Sequence, residues 1–156
     1  MPRAQAAPKL EGVRLHLPQP YEEISHTADV GIAAVGATPE EALARLVLAL
    51  GALLAGGGAV EPAGERGISV SGAADLPQTA VALLREVLFG FATRREVPCS
   101  CEVRSLAPGR AEAAIGFGRY DPALHAEGVD VKAVTYHGAR FEPGERGYRA
   151  QVILDI

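Results

Sequence analysis

Leu43, Leu46, Val47, Leu50, Leu53 and Leu54 recur at the three- and four-residue intervals of one helix face. Thr38-Pro39-Glu40-Glu41 opens this run: Thr38 is placed to cap, Pro39 suits the first turn and Glu41 completes a capping box. Gly56-Gly57-Gly58 closes it by withdrawing helix preference. A second helix is predicted from Asp75, with Gln78 as its capping-box partner, to about Phe91. Val81, Leu84, Val87, Leu88 and Phe91 mark its buried stripe, and Glu86 lies off it. Elsewhere the hydrophobic period falls to two. Tyr21 to Ile24 and Val30 to Gly36 read as strands on either side of a loop, and Ile68 to Ser71 as a short strand after a loop-rich Gly56 to Gly67. Cys99 to Ser105, Ala111 to Ile115, Val129 to His137 and Tyr148 to Asp155 form a closing run of strands, with Pro108-Gly109 and Pro143-Gly144 at turns. Gly116-Phe117-Gly118 lacks the spacing of a dinucleotide fingerprint and reads as a turn.

The order β-α-β-α followed by strands predicts an α+β domain, with two amphipathic helices packed on one face of a mixed, mostly antiparallel sheet. Residues 1–20 show no sustained periodicity and hold four prolines (Pro2, Pro8, Pro18 and Pro20), so they are expected to form a loose leader. Residues 21–156 are expected to form a single domain, long enough for a sizeable core.

Composition narrows the function classes. Hydrophobic residues at 48% and charged residues at 22% are ordinary for a soluble protein, and no apolar run reaches bilayer-crossing length. The first twenty residues carry no secretory h-region, which leaves the cytoplasm as the expected compartment. A net charge of −4 argues against a sequence-independent grip on a phosphate backbone, so any nucleic-acid contact is expected to be indirect. Cys99 and Cys101 are two thiols on one strand face, half of a structural zinc site, and read as ordinary reduced cysteines. Neither a nucleophilic serine elbow nor a Walker loop is present.

The chemistry-bearing residues gather in two places. Ser25-His26-Thr27-Ala28-Asp29-Val30-Gly31 sits in the first loop, and the last predicted strand ends at Asp155-Ile156. Asp29, Asp155 and the carboxylate of Ile156 offer hard oxygen donors that suit a divalent cation: calcium first, then magnesium or manganese. His26 would add a nitrogen and shift the preference toward manganese or zinc. The bland alternative makes Asp29 an Asx-type turn and Asp155 a solvated acid at a fraying end. Alternation places Val131, Ala133, Thr135 and His137 on one strand face, where His137 is either an outer partner that orients a ligand or a satisfied structural residue.

Two separated segments resemble one family, the archeases. Its opening signature is similar to Tyr21-Glu22-Glu23-Ile24-Ser25-His26-Thr27-Ala28-Asp29-Val30-Gly31, and its closing one to Val131-Lys132-Ala133-Val134-Thr135-Tyr136-His137, running on to Asp155-Ile156. Tyr120-Asp121-Pro122 and His125 also fit. Ser25 stands where the family often carries an acid. Glu86 matches an acid of the second-helix segment, whereas Leu84, Arg85 and Ala92 replace its aromatic and acidic residues. The resemblance implies an accessory protein of an RtcB-type RNA ligase in tRNA splicing and RNA repair. Such a protein is no enzyme itself but promotes guanylylation and multiple turnover of the ligase, with Asp29, Asp155 and Ile156 as metal ligands. Two other readings stay open: a stand-alone metal-dependent hydrolase with His26 as general base, and a general chaperone or adaptor.

Overall fold

Each long helix starts at a side chain that accepts a free backbone N–H of the first turn. In the computed structural model, which describes residues 13–25 and 28–156, Glu41 N–H donates to Thr38 Oγ1 at 3.1 Å and Gln78 N–H to Asp75 Oδ1 at 2.9 Å. Caps of this kind contribute about 0.5–2 kcal/mol each. They open α1 (Pro39–Ala55) and α2 (Leu76–Arg94), the second running three residues past the expected Phe91. Glu41 accepts from Ala37 N–H rather than completing a box with Thr38, and pairs with Arg45 one turn on. Leu43, Leu46, Val47, Leu50, Leu53 and Leu54 are all buried, as the spacing predicts. Each such leucine contributes about 1.5–3 kcal/mol relative to exposure.

The strands are β1 (Leu15–His16), β2 (Glu22–Ser25), β3 (Asp29–Gly36), β4 (Gly64–Ser71), β5 (Glu96–Ala107), β6 (Arg110–Arg119), β7 (Ala133–Gly144) and β8 (Gly147–Asp155). A one-turn helix, α3 (Pro122–His125), interrupts the closing run. The α+β class is as expected. The strands are divided between two four-stranded sheets, ordered β1-β5-β6-β4 and β2-β3-β8-β7, and every described pairing is antiparallel, where the hydrophobic pattern had suggested one mixed sheet. Strand partners are chosen by long-range packing, to which a period of two is blind. Helix α1 packs on β3 and β8 of one sheet and β5 of the other, and α2 on β7 and on β4 and β5, so both helices serve both sheets. No described helix is long and apolar enough to cross a membrane.

Four local readings change. Gly116-Phe117-Gly118 is no turn but the interior of β6, because a Cβ at Gly116 would overlap the Ser100 side chain of the neighbouring β5. Likewise β7 runs through Pro143-Gly144, and Glu145-Arg146 form the turn; a proline is tolerated there because β7 is an edge strand. Strand β4 begins inside the expected loop, at Gly64. The leader is not loose throughout its described part: Leu15 and His16 pair with Cys101 and Ser100 of β5. Residues 1–12 lie outside the described set.

Cys99 and Cys101 are free and buried, and burial pushes the Cys101 thiol up to about 12, which keeps it un-ionised at neutral pH. A second titrating group ties β4 to α2 and β5. The Glu96 carboxylate accepts from Arg66 Nη2 at 2.6 Å and from Arg94 Nε at 3.1 Å. Hydrogen bonding to Arg66 first, then to Arg94, holds it below its ordinary 4.5 despite partial desolvation. Because the folded value is the lower one, this stabilisation is complete above the ordinary value and lost as pH falls through the folded one. Glu96→Gln is therefore expected to flatten the decline in melting temperature below about pH 4.5. Melts across that range check it, and an unchanged slope would remove Glu96 from the acid-sensitive groups.

Candidate functional site

The alternation of β3 and β8 sends every second residue into the core, and that pattern fixes what stands on the other face. Val30, Leu154 and Val134 form one buried cross-strand row. The adjacent row is Asp29, Asp155 and Ala133, with Asp29 directly opposite Asp155 and Asp155 opposite Ala133. Opposed side chains share a face, with Cβ atoms about 4.5–5.5 Å apart. A slip of β8 by one residue would turn Asp155 toward the core and Leu154 out of it, so the hydrophobic row enforces the acidic one. The end of β8 is held in place by Lys132 N–H, which donates to the Asp155 backbone oxygen at 2.8 Å.

The two acids differ in environment. Asp155 is exposed, Asp29 is half-buried, and Asp29 Oδ1 is buried with no hydrogen-bond partner among the described residues. Like charges directly opposite each other in a sheet are unfavourable, and so is a buried oxygen without a donor. Carboxylate oxygens placed this way are the donor type of hard divalent cations. Among the described residues no three His, Cys, Asp or Glu side chains converge. Ile156 follows Asp155 directly and is partly exposed. His26, with Thr27, lies outside the described residues.

His137 is not where alternation expects it. Between Thr135 and Arg140 strand β7 leaves register with β8, where only Gln151 to Ile153 stand opposite, and Tyr136 to Ala139 form a bulge with Gly138 at φ 75°. Thr135 Oγ1 donates to the His137 carbonyl at 3.1 Å and Gln151 Nε2 to the Gly138 carbonyl at 3.3 Å. Arg85 donates Nε–H to the Val134 carbonyl at 2.9 Å and lies over the Tyr136 ring at 4.0 Å, clamping the bulge from α2. The His137 side chain is exposed. The glycine one residue after His137 was the available signal for this break in the strand. Glu86 is exposed on the outer side of α2, off the buried stripe as expected.

His125, in contrast, is fully buried. Its Nδ1 accepts from Asp121 N–H at 2.9 Å, which places the ring proton on Nε2, against the Ala59 carbonyl at 2.8 Å. Asp121 Oδ1 accepts from Ala123 N–H to cap α3, and Tyr120 packs beside the imidazole. The Tyr120-Asp121-Pro122 and His125 pattern thus locks a loop rather than presenting a catalytic imidazole.

The same stretch of chain that carries these features has known counterparts. Residues 21–156 match the model of the Archease protein family (MTH1598/TM1083). The protein archease of Methanopyrus kandleri is 33% identical over 140 residues, spanning 88% of this chain and 99% of that protein. An archease-like protein of Dictyostelium discoideum is 32% identical over 141 residues, spanning 87% and 93%. In three dimensions the chain is similar to protein 1598 of Methanobacterium thermoautotrophicum, with a TM-score of 0.63 at 24% identity over 87% of this chain and 98% of that one. It is also similar to an archease and possible chaperone of Thermotoga maritima, with a TM-score of 0.55 at 18% identity over 91% and 99%. The family model over residues 21–156 and relatives matched over most of the chain agree, and the chain belongs to the archease family.

Proposed function

We propose that this protein is an accessory factor of an RtcB-type RNA ligase, and that Asp29 and Asp155 hold a divalent cation, calcium first among the candidates. The carboxylate of Ile156 is the third donor where Ile156 ends the chain. The observation that carries the metal reading is the register of Asp29 against Asp155 together with the buried Asp29 Oδ1, which has no partner among the described residues. A shared cation would relieve both penalties at once: it screens the facing charges and gives the orphaned oxygen a partner. Family membership supports the ligase reading.

This chain's own residues do three things in that role. Strands β3 and β8 hold the two carboxylates on one rigid face. The Lys132 N–H keeps the end of β8 from fraying, so Asp155 stays opposite Asp29. The exposure of Asp155 leaves the site open to the ligase surface. When bound, the cation supplies charge neutralisation of the kind that phosphoryl transfer requires. His137 belongs beside this site as an orienting group only if the β7 bulge turns its ring toward the acids on docking.

The test has two readouts. Calcium at millimolar concentration is expected to raise the melting temperature of the parent protein, as any ligand of the native state alone must do. It should leave Asp155→Ala unmoved. With a chelator present the order reverses: Asp155→Ala, freed of a facing like charge, should be as stable as the parent or more so by about 0.2–1 kcal/mol. In multiple-turnover RNA joining by the RtcB-type ligase of the same source, the parent should stimulate and both Asp29→Ala and Asp155→Ala should not. Full stimulation by a correctly folded Asp155→Ala would sink the carboxylate mechanism. Phosphoester turnover by the isolated protein, abolished in Asp29→Ala, would instead assign it as a hydrolase.

A further inference from the structure

We propose that the cleft at the C-terminal end of α2 binds a small aromatic oxyanion, a flat ring bearing one phosphate or carboxylate, through Arg95. This inference concerns a different set of residues from the acidic pair and does not rest on the ligase reading. Among the described residues Arg95 is the sole non-glycine at positive φ (57°), where it caps α2 in the left-handed conformation. Glycine is the default at such a cap. Nothing in the backbone demands arginine: its N–H donates to the Phe91 carbonyl at 2.9 Å and its own carbonyl accepts from Tyr120 N–H at 2.8 Å, bonds a glycine would make equally well. The strain is therefore kept for the side chain.

That side chain is placed for recognition. The guanidinium carbon lies 5.3 Å from the Phe91 ring centroid and 5.9 Å from that of Tyr120, and the two rings meet edge to face at 5.6 Å. Arg95 has no ion-pair partner among the described residues, whereas its neighbour Arg94 pairs with Glu96 and already complements the negative end of the helix. An arginine resting on aromatic faces keeps its fork of N–H donors free for a two-oxygen acceptor. The depression beside it, open to solvent on one side, holds about 490 Å³, and Leu54, Val129, Phe91 and Tyr120 supply the apolar part of its lining. Asp130 also lines it, which disfavours a ligand of high negative charge and offers an acceptor to a ring N–H or O–H. A flat apolar body with a single oxyanion satisfies all of these groups together.

The probes are phenyl phosphate and benzoate, with inorganic phosphate and phenol as half-ligands, read by saturable shifts of the amide resonances of Arg95, Tyr120 and Val129. At least one aromatic oxyanion is expected to saturate the shifts below about 10 mM, and each half-ligand to bind about tenfold more weakly or worse. The arm that saturates first identifies the oxyanion as phosphate or carboxylate. Arg95→Gly, which suits the left-handed cap and so folds, should lose at least about tenfold in affinity, and Arg95→Lys, keeping charge without the fork, should fall between. Equal binding by Arg95→Gly, or no saturable shift with either aromatic oxyanion, would overturn the assignment.

Discussion

Gly51→Ala is expected to destabilise the protein by about 3 kcal/mol, although it replaces glycine by alanine in the middle of a helix. Helix propensity alone points the other way, by about 1 kcal/mol in favour of alanine. The opposing effect is contact: α1 crosses β5 so closely at Gly51 that a Cβ there would overlap the Pro98 carbonyl oxygen and crowd its ring. Backbone cannot swing aside as a flexible side chain can, so the helix and the strand must separate and the surrounding leucines lose packing. In a chain of this size the loss corresponds to a fall in melting temperature of about 6–12 °C. Gly67→Ala is the control. Its Cβ would meet nothing within 4 Å, and its effect should stay within about 0.5 kcal/mol. A stabilised Gly51→Ala would mean that α1 and β5 do not approach as described.

His125→Leu should also be costly, at about 1–3 kcal/mol for its two hydrogen bonds together, with no direct effect on any bound ion. Leucine fills much of the volume but removes the acceptor of the Asp121 N–H and the donor to the Ala59 carbonyl, two part-buried hydrogen bonds worth about 0.5–1.5 kcal/mol each. It also removes the ring packed against Tyr120. His125→Gln retains one donor and one acceptor and should recover part of the loss. Chemical denaturation of the three proteins gives the ranking directly. If the Gln and Leu variants were equally unstable, shape rather than hydrogen bonding would hold the loop. Equal stability of His125→Leu and the parent would remove His125 from the fold's essential contacts altogether.

The helices were legible in the sequence because their signals are local. Thr38 and Asp75 announce their caps within four residues, and the leucine stripe of α1 needs no knowledge of what it packs against. The strands were legible as strands but not as neighbours. Nothing near Ile68 says that β4 pairs with β6 while β8 joins β3, since those choices depend on which faces both helices must cover. The glycines of Gly116-Phe117-Gly118 misled for a related reason: in one dimension a glycine pair signals a turn, and only the proximity of Ser100 shows that it signals close approach. The acidic site lies between these extremes. Asp29 and Asp155 stand out as residues, but their row is a property of register, and register was set by Val30, Leu154 and Val134. The Tyr136 to Ala139 bulge, which takes His137 out of the alternation, and the aromatic shelf beneath Arg95 were both beyond periodicity.

The place of β8 within its sheet has a consequence for how the protein is made. It is the last strand in the sequence, yet it lies inside the order β2-β3-β8-β7, with a partner on each side. During synthesis, β3 and β7 emerge from the ribosome before the strand that must join them. Until then each has an open edge facing the gap, and the helices rest on an unfinished surface. The hairpin of β8 with β7 is local, but its pairing with β3 spans nearly the full chain and is the contact of the sheet that is slow to form. A nascent chain stalled before Gly147 would display two unpaired edges, the form most prone to joining another chain.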